Sequence, residues 1–219
     1  MAVKQAILSL VLFSSALLSQ AQEITQQDFS GSGHIHVLNS SDWRTGNPNQ
    51  KVGCLDNDGR FVADNSTSNC GVFTRLSVYP YSMSTKKGNC TFQDENTVTN
   101  TDSYYGKNDH AWTCNSTYVA NINDDLYTID GFPYPFICFG DVACFYDAKK
   151  IPQQGELIPL WQFHWGSQQG GITPGHVMLQ LLWDQIAPPK TKETVLAPGP
   201  DINVAENSQE PLKGQQIAE

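Results

Sequence analysis

The sequence predicts an antiparallel β-sandwich or barrel, jelly-roll-like, stapled by disulfides and followed by a disordered tail. Three observations carry this reading. Short apolar runs alternate with a period of two, the signature of half-buried strands. Six cysteines, an even number, follow an export signal. No window of about twelve residues keeps a helical period between caps.

The N-terminus reads as a signal peptide over 1–21. Lys4 gives a positive start, Ala6 to Leu18 form an apolar run, and Ser19 and Ala21 place small side chains at a cleavage site. The run is short for a membrane span, which takes about 20 residues, and no later stretch approaches that length, so no membrane partner is expected. Residues 22–33 are polar and Gly/Ser-rich, the composition of a flexible leader. Residues 34–186 hold every cysteine, tryptophan, tyrosine and histidine and form the expected domain. Residues 187–219 carry five of the twelve prolines and no aromatic residue, too little apolar surface to offset the entropy of ordering.

Within the domain, candidate strands fall at 34–38, 52–55, 60–63, 72–79, 89–92, 110–114, 118–120, 126–130 and 136–146. Two longer runs follow. Trp161, Phe163 and Trp165 alternate with Leu160, Gln162 and His164, and Val177, Leu179, Leu181 and Trp183 alternate with His176, Met178, Gln180, Leu182 and Asp184. Asp56-Asn57-Asp58-Gly59 separates Val52–Leu55 from Arg60–Val62 as a hairpin turn, with Asp58-Gly59 supplying positive φ. Many short strands between such breakers point to a sandwich or barrel.

Loop-closure entropy favours joining cysteines that are neighbours in the chain. The expected pairs are therefore Cys54–Cys70, Cys90–Cys114 and Cys138–Cys144. Four glycosylation sequons begin at Asn39, Asn65, Asn89 and Asn115, which places those segments at the surface of an exported glycoprotein.

The net charge of −9 supplies no footprint for nucleic acid, whose phosphates require clustered Lys and Arg. A metal site is one candidate chemistry. His34 and His36 share a strand face, and if 157–165 paired with 176–184, His164 would sit opposite His176, a set suited to Cu or Zn. Asp56 to Gly59 starts like a calcium loop but breaks after the glycine. For hydrolysis, Asp109-His110 offers an acid–imidazole neighbour pair, with Glu95 or Asp102 nearby, yet no nucleophile elbow or free thiol is present. Tyr79-Pro80-Tyr81, Tyr104-Tyr105, Trp43 and Phe132 to Phe136 sit in turn-like segments, where exposed rings serve as platforms for glycans.

The stretch Val52-Gly53-Cys54-Leu55-Asp56-Asn57-Asp58-Gly59-Arg60-Phe61, with Cys70-Gly71-Val72-Phe73 and the later Gly106 to Cys114, resembles small secreted, cysteine-paired glycoproteins of filamentous fungi. That resemblance implies release to the cell wall, the medium or a host surface, and carries no catalytic residue with it. The expectation is an effector-like, non-enzymatic monomer that binds a cell-wall glycan or a host protein. The alternatives are a secreted hydrolase or nuclease on a β scaffold, and a copper- or zinc-binding extracellular protein.

Overall fold

A computed structural model describes residues 25–63, 69–140 and 143–190. The expected signal peptide over 1–21, the sequon at Asn65 and the expected tail from residue 191 onward lie outside the described residues.

Strands form where the apolar alternation is: β1 (Ser32–Leu38), β2 (Lys51–Leu55), β3 (Phe61–Ala63), β4 (Phe73–Arg75), β5 (Met83–Thr85), β6 (Gly88–Thr91), β7 (Thr113–Asn115), β8 (Leu126–Tyr127), β9 (Cys138–Phe139), β10 (Tyr146–Ala148), β11 (Leu157–Ile158), β12 (Trp161–Gln162) and β13 (Val177–Ala187). All the pairings between them are antiparallel. The expected mostly-β fold is present. Among the described residues, no helix is long and apolar enough to cross a membrane.

The long β1 is the axis of the sheet. One edge pairs with β13 along its length, setting Ile35 opposite Trp183 and Val37 opposite Leu181. The other edge is shared between β2, which takes the C-terminal half, and β4, which takes Ser32 and Gly33. Gly33 permits that crowding: a Cβ there would lie 2.4 Å from the Asp184 carbonyl oxygen and 2.8 Å from the Trp183 ring. From β4 the path continues through β5 and β6 to β7, and from β2 through β3 to β11. The segment 157–162 bridges the margins, pairing with β3 at its start and with β10 at its end. The sheet therefore curls into a half-barrel.

The hairpin between β2 and β3 has the expected turn, with Leu55 opposite Phe61 and Gly59 at φ +86°. Asp56 closes it by accepting from the backbone N–H groups of Asp58 and Arg60. Inside the curl, Ile35, Val37, Leu179, Leu181 and Trp183 pack with Leu55, Phe61, Phe73, Phe139, Tyr146 and Leu160. The opposite face of β13 is covered too: Leu182 packs with Leu38 and Phe136 beneath Trp43, Phe132 and Tyr134. Each such side chain contributes roughly 1.5–3 kcal/mol when fully buried.

Several expectations are corrected. The strands 157–165 and 176–184 do not pair: β10 runs between them, with Tyr146 facing Gln162 on one side and Leu179 on the other. Tyr146, Asp147 and Ala148 are all buried, as an interior strand requires. The stretch 136–146 is broken accordingly into β9 and the start of β10. No strand forms at 118–120, where Val119 is exposed, and β5 lies where none was expected.

The leader over 22–33 is not free from residue 25 onward. Phe29 is 1% exposed and packs edge-on to Trp183 at 5.6 Å, while the Trp183 indole N–H donates to the Asp28 carbonyl at 2.8 Å. The Gln26 backbone N–H donates to Thr128 Oγ1 at 2.9 Å. One apolar side chain in a polar run was enough to anchor it.

The three disulfides are Cys54–Cys70, Cys90–Cys114 and Cys138–Cys144, the expected pairs, closing separations of 16, 24 and 6 residues. Cys90 and Cys114 are direct cross-strand partners on β6 and β7. Loop-closure entropy grows with the logarithm of loop length, so replacing Cys90 and Cys114 by serine should cost about 1 kcal/mol more than the same change at Cys138 and Cys144. Equilibrium urea unfolding of the two double variants measures this; a larger loss at the shorter loop would contradict it.

Candidate binding cleft

β12 ends at Gln162, and the chain runs on through Phe163, His164 and Trp165 into the loop 166–175. Trp161 and Phe163 point into the core at 0% and 5% exposure, but Trp165, next in the alternation, is 74% exposed. The other described tryptophans are buried or half-buried. An indole left in water forgoes the burial that normally stabilises it.

Trp165 stands at a cleft of about 720 Å³. The cleft is lined by Tyr79, Gln93, Asn123, Asp125, Tyr127, Gln162 and His164 among others, with no serine, threonine or cysteine among the described lining residues. A second cavity of about 280 Å³, also lined by Trp165, is bounded by Trp43, Phe132, Cys144 and Phe145.

The cleft's polar groups differ in how they are satisfied. Asp124 is committed to the fold: it accepts from Thr91 Oγ1 at 2.5 Å, Tyr118 OH at 2.9 Å and the Asn121 backbone N–H at 2.8 Å. Its neighbour Asp125 lines the cleft and keeps a buried Oδ1 with no protein donor. A buried acceptor without a partner costs about 1–3 kcal/mol. His164 Nε2 lies 2.9 Å from Asp109 Oδ2. Asp109 thus approaches a distant imidazole, although its Oδ2 finds no aligned hydrogen-bond donor.

The loop after Trp165 is held by a buried polar network. Gln169 Oε1 accepts from the Tyr104 backbone N–H at 2.6 Å and from Ser103 Oγ at 3.3 Å. Tyr105 OH accepts from the Gln168 backbone N–H at 3.0 Å, and its ring lies against Gly166. Thr173 Oγ1 donates to Asp147 Oδ2 at 2.6 Å, and Asn100 Nδ2 donates to the same oxygen at 3.4 Å. His176 completes the network, its Nδ1 2.5 Å from Asp147 Oδ1 and its Nε2 3.2 Å from Asp102 Oδ2.

The four candidate metal ligands are therefore dispersed among separate partners. His176 is bound by Asp147 and Asp102, and His164 by Asp109. His34 Nδ1 lies 2.8 Å from the Gly71 carbonyl oxygen, and His36 Nε2 lies 3.0 Å from Asp184 Oδ2. His34 and His36 do share a strand face, with ring centroids 6.2 Å apart. Among the described residues, no group of three or more His, Cys, Asp or Glu side chains is placed to hold a metal ion. The pairing that would have brought His164 opposite His176 is the one β10 interrupts.

Of the sequons described, Asn39 is exposed. Asn89 and Asn115 are half-buried and stand opposite each other on β6 and β7, donating to the Tyr118 carbonyl at 3.1 Å and to Asp94 Oδ2 at 2.5 Å. Among the aromatic candidates, Tyr79 lines the cleft, whereas Trp43 and Phe132 stack at 4.2 Å over the outer core. Trp165 was not distinguishable by its alternation, which continues that of two core residues. The available signal was the breaker Gly166 immediately after it, at the start of a Gly/Ser/Gln-rich run.

No family model, curated protein or solved structure matches the chain.

Removing the Asp147 carboxylate should leave His176, Thr173 and Asn100 without their common acceptor. Asp147→Ala is expected to cost about 3–5 kcal/mol in a denaturant titration, the range for breaking a buried charge pair. Asp102 adds a pH signature. Lys149 first, then Thr101 and His176, lower its pKa from the ordinary 3.8 to about 2. A depressed carboxylate stabilises the fold above its unfolded pKa and loses that contribution as pH falls towards the folded value. The stability difference between the native chain and Asp102→Asn should therefore be full at neutral pH and shrink between about pH 4 and pH 2; a difference independent of pH would count against the role.

Proposed function

We propose that the protein is a secreted, non-enzymatic binding protein that takes a cell-wall or host-surface glycan in the cleft beside Trp165. The exposure of Trp165 is the observation that carries this reading. A flat, rigid indole at the edge of a concave site offers an apolar face to a sugar ring at little entropic cost. Gln93, Asn123, Asp125 and Gln162 supply donors and acceptors for hydroxyls. Export fits the three disulfides, which persist in oxidising compartments.

A second reading, a secreted hydrolase, is favoured by His164, which lines the cleft with its Nε2 2.9 Å from Asp109 Oδ2, since an imidazole beside a carboxylate is the pairing a general base uses. It is separated from pure binding by incubating the retained polysaccharide with the native chain and with His164→Ala. Release of soluble sugar by the native chain alone assigns hydrolysis.

Retention on chitin, β-glucan and cellulose tests the principal reading. The native chain should be retained on at least one of the three. Trp165→Ala should weaken retention at least tenfold, about 1.4 kcal/mol, with an unchanged unfolding midpoint. Retention on none of them, or undiminished retention of Trp165→Ala, would overturn it.

A further inference from the structure

Trp165 lines two cavities of opposite chemical character, and the contrast specifies the ligand more narrowly than a glycan. The larger carries three amides, Gln93, Asn123 and Gln162, with the Asp125 carboxylate and the His164 imidazole, set among aromatic and aliphatic side chains. The smaller is bounded by Trp43, Phe132, Phe145 and Cys144, together with Ala143 and Phe163. None of the described side chains there carries a charge or a hydrogen-bonding group beyond the indole N–H groups of Trp43 and Trp165, and Cys144 is tied in a disulfide. Ala143, Phe163 and Trp165 belong to both linings, so the two spaces adjoin along the Trp165 side chain.

A sugar cannot fill the second space on favourable terms. Each hydroxyl moved there would give up its water partners for almost no acceptors. Hydrocarbon gains instead with each CH₂ removed from water. Size agrees with this: an apolar cavity of about 150 Å³ is enough to admit benzene, and this one holds about 280 Å³. A phenyl ring or a short alkyl chain fits that volume.

We infer that the ligand is a saccharide bearing an apolar substituent, with the sugar in the polar cleft and the substituent in the pocket of Trp43, Phe132 and Phe145. Trp165 is the partition that both parts touch. The inference rests on the reading of the cleft as a glycan site. Two sources supply this chemistry, an alkyl chain as in a glycolipid and an aryl group as in a phenolic glycoside.

The experiment is a calorimetric titration with the methyl, hexyl and phenyl β-D-glucosides and the corresponding N-acetyl-β-D-glucosaminides, the monomer units of the three polysaccharides above. The hexyl or the phenyl glycoside should bind at least tenfold more tightly than the methyl one. A gain confined to hexyl assigns the lipid source, and one confined to phenyl the aryl source. Phe145→Ala should reduce that gain to less than threefold while leaving polysaccharide retention intact. Phe145 is half-buried and belongs to neither apolar core cluster. Phe132→Ala serves as the second variant, with the unfolding midpoint reporting the fold of each. Equal affinity for all three glycosides, or a gain that survives both variants, overturns the inference while retention on polysaccharide keeps the glycan reading. Loss of retention and of every titration signal overturns both.

Discussion

Asp147 is fully buried in the middle of β10, and a buried carboxylate is destabilising by several kcal/mol unless donors converge on it. Three do: Thr173 and Asn100 on one oxygen and His176 on the other. These donors come from two loops that are distant in sequence, so the charge can be satisfied only when both loops are docked against the sheet. Tyr146 and Ala148 point into the apolar interior, which leaves Asp147 on the opposite face, where the loops lie. Fold and site meet at this residue. The same constraint that makes β10 an interior strand fixes the chain on either side of Trp165.

The sheet itself could not impose that order. Apart from β1 and β13, its strands run from two to five residues, and such short pieces have little stability of their own. The long β1–β13 pair supplies the continuous apolar face, and the disulfides restrict the outlying pieces: β2 to the approach of β4, β6 to β7, and β9 to the approach of β10. Loops 99–109 and 166–176 have no cystine. Their order comes from turn hydrogen bonds within each loop, such as Asn100–Asp109 and Gly166–Gln169, and from side-chain hydrogen bonds between them through Gln169, Ser103, Tyr105 and the Asp147 network. The cleft lies beside these loops, not on them: its lining comes from residues 79, 93, 122–127, 139–140, 143 and 162–165, and loop 166–176 holds the chain that leaves Trp165.

What could be read from the chain was whatever local rules decide. Alternation in 34–38 and 176–184 identified β1 and β13, Asp58-Gly59 identified the β2–β3 hairpin, and loop entropy identified all three cystines. Partner choice among strands was not legible, because a run of three buried residues such as Tyr146–Ala148 carries no mark of the strands it will separate. That single insertion removes the strand pairing that would have set His164 opposite His176. The site suffered for the same reason. The pairing of Asp109 with His164 crosses 55 positions and is created by topology, while the neighbour His110 was the nearer but idle choice. Phe29 was missed differently: one aromatic in a polar leader falls below any periodicity, yet its ring fills a place beside Trp183.

Unsatisfied groups in the molecule separate into two kinds, and the distinction bears on where function lies. Gln180 is fully buried, and neither atom of its amide has a protein partner; Gly46 approaches so closely that a Cβ there would come within 2.6 Å of its Oε1. That amide is enclosed by the core and open to nothing larger than water. Trp165 departs from the rules of stability in the other direction, because its indole is 74% exposed at a cleft of several hundred cubic ångströms. A buried amide without a partner costs free energy that only water could recover, whereas wet apolar surface at a concave site is open to a larger occupant. A ligand with a flat apolar face removes that second penalty by covering the indole. An occupant is thus the physical condition under which this departure from local stability becomes favourable.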